Sequence, residues 1–211
     1  MQAGYDDIKQ MLAGAIEIIR QKNAELSLLD TAIGDGDHGV TMLRAMEKIN
    51  QVNSAHSDAN ISNLLNEIGW ALLDIDGGAV GPLYGSLFLG MAEATSGQES
   101  LSPDHFAQMF EGGLESIEKQ TKARVGDKTM MDALIPAVQA LRTCADQGQS
   151  IAAMLDMAAA AATAGAESTR NIAAHYGRAK FQGERTLGHP DPGSVSTAYL
   201  FQGMRAGLSK T

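Results

Sequence analysis

Cysteine is almost missing from this 211-residue chain. Cys144 stands alone, which excludes an intrachain disulfide and leads to the expectation of a cytoplasmic protein. No apolar run approaches the roughly 20 residues of a membrane-spanning helix. Met1 to Asp7 is polar and acidic, unlike a charged-then-apolar leader. Basic charge is also scarce. Sixteen Lys and Arg face 25 Asp and Glu, a net charge of -9, which argues against nucleic acid or an anionic membrane as a partner. Alternation with period two is nearly absent, so strands are not expected. No His/Cys set has zinc spacing, no Gly-x-Ser-x-Gly elbow occurs, and His38 beside Asp37 is the only intimate His–Asp pair. No catalytic nucleophile or base is assigned.

What is present is helical periodicity. Ile8, Met11, Leu12, Ala15, Ile16 and Ile19 recur at three- and four-residue spacing, and Val40, Leu43, Met46 and Ile49 continue the pattern after Gly39. Asn60 or Ser62 is a candidate cap for a third helix carrying Leu64, Leu65, Ile68, Leu72 and Ile75. Pro82 suits the first turn of a fourth helix, and Ser102-Pro103 opens a fifth. A sixth helix, from about Met130, contains Pro136, which bends it or shifts its start. An alanine-rich seventh runs from Ile151 to about Ala174, and Asp191-Pro192 caps the last. With no linker, composition shift or repeat, residues 1–211 read as one all-α domain. The expected architecture is an antiparallel up-and-down bundle or barrel of about eight helices. Eleven methionines are expected in the core, and Trp70 and Cys144 read as structural.

The densest chemistry lies between Leu29 and Gly39. Asp30, Asp35 and Asp37 fall in one short segment, with Gly34, Gly36 and Gly39 giving the backbone freedom to fold sharply. Carboxylates brought to one point need a cation, and oxygen-only ligands favour Mg²⁺ with phosphate as co-ligand. Gly34 to Gly39 also fits the dinucleotide fingerprint G-x-G-x-x-G, but Asp35 and Asp37 would repel a bare pyrophosphate and no strand–helix alternation follows. An EF-hand fails because Met46 stands where its final Glu belongs. The bland alternative is a solvated acidic turn in which Asp37 caps the next helix.

Three further loops join it. Gly77 to Gly81 before a helix start is a candidate phosphate cradle, Gly126-Asp127-Lys128-Thr129 offers a cation and a hydroxyl, and Met130 can lie against a flat ring. The segment from His175 to His189 carries Arg178, Lys180 and Arg185, a candidate phosphate clamp. Taken alone, each is better read as a plain helix–helix turn, an ordinary helix start or a solvated loop. In an up-and-down bundle, however, the loops after the first, third, fifth and seventh helices share one end, and these are those loops.

Gly34-Asp35-Gly36-Asp37-His38-Gly39, the run from Gly77 to Gly85, Gly126 to Met130, and Gly188-His189-Pro190-Asp191-Pro192-Gly193 resemble, in the same order, the nucleotide-binding L subunits of dihydroxyacetone kinases, the DhaL family. The resemblance implies a helical barrel that binds ADP or ATP through two Mg²⁺ ions held by Asp30, Asp35 and Asp37. It implies nucleotide contacts from His38, Gly39, Thr41, Gly78, Ala79, Val80, Gly81, Met130, Arg178, Asp191, Pro192 and Gly193. It further implies a phosphoenolpyruvate-dependent system in which bound ADP acts as coenzyme. A phosphohistidine-carrying M subunit would charge it, and dihydroxyacetone on a substrate-binding K subunit would receive the phosphoryl group. The alternatives are an ATP-exchanging kinase subunit for this or a related ketose, and a non-catalytic sensor of nucleotide state. A homodimer is compatible with either. Thr41, Val80 and Thr121 stand where the family commonly has Asn, Ser and Gly. Val80 in particular lacks a hydroxyl that could reach phosphate.

Overall fold

Ile8, Met11, Leu12, Ala15, Ile16 and Ile19 are all buried on one face of α1 (Tyr5–Ile33), as their spacing predicts. The computed structural model describes residues 2–76 and 78–208. Seven more α-helices follow among them: α2 (His38–Ala55), α3 (Ile61–Leu73), α4 (Val80–Ala94), α5 (Pro103–Glu118), α6 (Met131–Asp146), α7 (Ile151–Ser168) and α8 (Pro192–Leu208). Short 3-10 turns at Thr169–Asn171 and Ala179–Thr186 lie in the long α7–α8 connection. No strand forms among the described residues. One antiparallel bridge joins Ala3 to Leu101.

Local chemistry sets the helix ends. Asn60 Oδ1 accepts the Asn63 N–H at 2.9 Å, and Ser102 Oγ accepts that of His105 at 3.2 Å. Asp191 Oδ2 accepts the Ser194 N–H at 2.6 Å, capping α8 as expected. Two expected boundaries move. Helix α1 runs on through Thr31, Ala32 and Ile33, so Asp30 lies in its last turns rather than in the loop. Helix α7 stops at Ser168, short of Ala174, where the 3-10 turn begins.

Each helix packs on its sequence neighbours, and α8 returns to α1 through the most extensive interface of all, closing the bundle into a barrel. Glycine permits that closure. A Cβ on Gly14 would stand 2.1 Å from the Gly203 carbonyl oxygen, and one on Gly207 2.1 Å from that of Gln10. Pro136 stays inside α6. It supplies no N–H to the Asp132 carbonyl one turn back, and α7 presses its backbone there at Gly165. Nine of the methionines, Cys144 and the aromatic trio Phe106, Phe110 and Phe201 belong to the described helices, and most are buried. Trp70 departs from expectation. It is 62% exposed on the outside of α3 and contributes little to the core.

Candidate functional site

The connections after α1, α3, α5 and α7 do meet at one end of the barrel, where they line a cavity of about 570 Å³. At its acidic part, Asp30, Asp35 and Asp37 each place one carboxylate oxygen within 4.8 Å of the others. Asp30 is 8% exposed, held by its helix, while Asp35 and Asp37 reach into solvent from the turn. Gly36 has φ +80, which that turn requires. Gly34 leaves room for Asp30, since a Cβ there would stand 2.1 Å from Asp30 Oδ1.

The cap reading of Asp37 does not hold. Asp37 occupies the N-cap position of α2 but its side chain makes no cap hydrogen bond. Asp30 Oδ2 accepts the first N–H of α2, that of His38, at 3.1 Å. The carboxylate of Asp37 therefore stays directed to the cluster. Arg178 Nη1 pairs with Asp35 and lies 3.5 Å from Asp37 Oδ2. Three hard oxygen donors this close, compensated by a single guanidinium, fit a divalent cation such as Mg²⁺.

Around this cluster the cavity lining turns largely apolar. Gly78, with φ +69, and Ala79 lead into the α4 N-terminus, and both line the cavity together with Val80. The first-turn N–H groups of α4 have no intrahelical partner, and its dipole end favours an anion. Gly77 lies outside the described residues. Met130, Leu83, Ile33 and Pro192 supply apolar wall, and Thr41, Thr121 and Gly193 complete it. Gly39 and Gly81 do not line the cavity. Each sits against a neighbouring helix, where a Cβ would meet the Asn23 carbonyl at 1.9 Å and the Leu72 carbonyl at 2.9 Å respectively.

Polar groups also belong to this lining, among them His38, Tyr84 and Asp191. His38 Nε2 lies 3.0 Å from Ser196 Oγ. Burial pushes the imidazole down to about 4, against the pull of Asp30, so it is neutral at pH 7. Tyr84 OH meets Thr197 Oγ1 at 3.0 Å. Burial pushes the Asp191 carboxyl up to about 7, with Asp132 and Asp30 acting in the same direction and the Ser194 N–H and Lys128 opposing.

Sequence reasoning expected Lys128 as a free cation facing a ligand. It is 1% exposed instead, and its Nζ donates to the carbonyl oxygens of Thr169 at 2.6 Å and His189 at 2.5 Å. Of the basic side chains in the His175 to His189 loop, Arg178 lines the cavity, together with its neighbours Tyr176, Gly177 and Ala179, while Lys180 lies over the Phe181 ring. Asp132 was not singled out in the sequence. It organises the α5–α6 loop by accepting the N–H groups of Gly126 at 2.7 Å and Thr129 at 2.8 Å. An acid three residues after Thr129 at a helix start was its only local signal. Ser196, Thr197 and Tyr84 had none, because only the closed barrel brings them together.

Residues 32–206 match the DAK2 domain family. The chain is 38% identical over 202 residues to the PEP-dependent dihydroxyacetone kinase ADP-binding subunit DhaL of Escherichia coli (strain K12), spanning 96% of each. It is 36% identical over 178 residues to Homo sapiens triokinase/FMN cyclase, covering 84% of this chain and 31% of that one. The crystal structure of the dihydroxyacetone kinase of C. freundii superposes with a TM-score of 0.75 at 25% identity, over 94% of this chain and 34% of that chain. The chain thus spans about a third of those larger proteins and nearly the whole of the DhaL subunit.

Proposed function

This chain belongs to the DAK2 domain family, and on that footing we propose that it is the ADP-binding subunit of a phosphoenolpyruvate-dependent dihydroxyacetone kinase, a phosphotransferase. The observation that carries the reading is the Asp30, Asp35 and Asp37 cluster, with ligand oxygens within 4.8 Å, at one wall of a cavity large enough for a nucleotide. These carboxylates would hold two Mg²⁺ ions. The α4 N-terminus at Gly78, Ala79 and Val80 would receive phosphate oxygens, and Met130 would lie against the base. Bound there, Mg-ADP would serve as a coenzyme that takes phosphoryl from a phosphohistidine of the M subunit and passes it to dihydroxyacetone on the K subunit.

The chain's own residues orient and neutralise rather than attack. Arg178, already against the carboxylates, is placed to follow charge onto phosphate oxygens. Neutral His38 ties the start of α2 to α8 through Ser196, and Asp191 caps α8. Val80 contributes a backbone N–H where its side chain offers none. Exposed Leu28, Phe181 and Leu187 at the same end suit transient contact with partner subunits.

Native mass spectrometry of the purified protein, before and after dialysis against a chelator, tests this. Mass corresponding to ADP plus metal, released only on chelation, is expected. A protein that binds neither ADP nor ATP in the presence of Mg²⁺ would overturn the reading. Reversible exchange of ATP without chelation would instead make it an ordinary ATP-using kinase subunit.

A further inference from the structure

Lys128 is a buried cation that the site itself does not consume. It arises from the α5–α6 loop, where it is one of the cavity-lining residues, adopts φ +59, and donates its ammonium to two main-chain carbonyls. Positive φ is uncommon for a residue with a Cβ, and a glycine would adopt it without strain. Burying an ammonium also carries a desolvation penalty. Both features are explained by what the side chain joins. Thr169 and His189 are the two ends of the α7–α8 connection, and that connection carries Tyr176, Gly177, Arg178 and Ala179 along the cavity.

We propose that Lys128 is a positioning residue that clasps both ends of this strap and so sets Arg178 over the carboxylate cluster. The neck of the strap is laced further. Thr169 Oγ1 accepts the Asp191 N–H at 2.8 Å, the Gly188 N–H reaches the Arg170 carbonyl at 2.8 Å, and Arg170 Nη1 reaches the Gly188 carbonyl at 3.0 Å. Those bonds join strap to strap. Lys128 is the side chain that ties both ends of the neck to the loop before α6. That loop is fastened in turn to α6 through Asp132, so the register of the strap follows the barrel. Beyond the neck, the strap is ordered by local bonds such as Ala174 N–H to Thr186 Oγ1, by its packing on α1, and by Arg178 on Asp35 and Asp37.

The assignment of Arg178 to phosphate rests on the proposed function, whereas the clasp does not, and the test separates them. Amide hydrogen exchange of residues 172–187 is measured on the full chain without nucleotide, in wild type and in Lys128→Met, Lys128→Gly and Lys128→Arg. Exchange faster by about tenfold is expected in the Met and Gly variants, with partial restoration by Arg, which keeps donors for the carbonyls. The Gly variant removes backbone strain, so a role confined to the backbone would leave its strap protected, which would overturn the clasp. Mg-ADP affinity is then measured in a cycle with Arg178→Ala. Lys128→Met is expected to weaken binding about fivefold in wild type and under about twofold in the Arg178→Ala background. Equal losses in both backgrounds would overturn a role exerted through Arg178. Should Lys128→Met fail to fold, Lys128→Gln, which keeps an uncharged donor, is read by the same criteria. A wild type that binds no Mg-ADP would refute the proposed function, while strap exchange would still decide the clasp.

Discussion

Asp30 in α1 holds the first N–H of α2, that of His38, at 3.1 Å, so one carboxylate both caps a helix and faces the candidate metal position. Asp37, in the N-cap position, caps nothing. The two acids are therefore expected to separate on substitution. Asp30→Ala should lower stability by about 1 kcal/mol, the usual loss on removing a cap. Asp37→Ala should stay within about 0.5 kcal/mol. Both should abolish tight Mg-dependent ADP binding. Urea unfolding without metal, with calorimetric titration of Mg-ADP, checks this; equal destabilisation by the two would contradict the division of roles.

Asp191 and His38 titrate in opposite senses. The Asp191 carboxyl is raised from 3.8 to about 7, so the folded state binds its proton more readily and stability falls as pH rises between those values. His38 is lowered from 6.5 to about 4, so the unfolded state binds its proton more readily and stability climbs with pH over that interval. Asp191→Asn keeps an oxygen for the Ser194 N–H. Relative to wild type, its stability should improve steadily from pH 4 to 7. A constant difference across that range would show that Asp191 is not raised.

Gly165 backs onto the Asp132 carbonyl that Pro136 leaves without a helical donor. A Cβ there would stand 1.9 Å from the oxygen, and both partners are backbone. Gly165→Ala is expected to destabilise by about 2–3 kcal/mol, despite alanine's better helix propensity. Thermal unfolding of a variant as stable as wild type would mean that α6 and α7 separate readily.

Phe181 is 82% exposed on the strap. Phe181→Ser should leave unfolding within about 0.5 kcal/mol and ADP affinity unaltered. Phosphoryl transfer in an assay reconstituted with K and M subunits should nevertheless slow. Unchanged transfer would remove this side chain from the contact surface.

The barrel was legible because its signals are local. Apolar spacing marked the helices, Asn60, Ser102 and Asp191 marked their starts, and the odd-numbered connections had to share an end. The cation cluster was legible for the same reason, since Asp30, Asp35 and Asp37 are near in sequence. Gly34 is the actual helix stop; with the apolar stripe traced only to Ile19, Asp30 reads as part of the loop rather than of the last turns of α1. The reading of Lys128 failed for a different reason. Its partners lie 41 and 61 residues away, and they are carbonyl groups, which carry no residue identity. Trp70 shows the converse, because apolar character alone does not tell inward from outward on a helix flanked by two neighbours.

Because α8 is made after α1 to α7, the ring cannot close during synthesis until it appears. The last helix closes the ring, and the turn that begins it, Asp191 to Gly193, completes the cavity wall. A nascent chain halted before that helix leaves the buried faces of α1 and α7 uncovered and lacks part of its ligand site. Maturation and competence therefore arrive together, and a truncated chain would be handed to chaperones or proteases before it could sequester nucleotide.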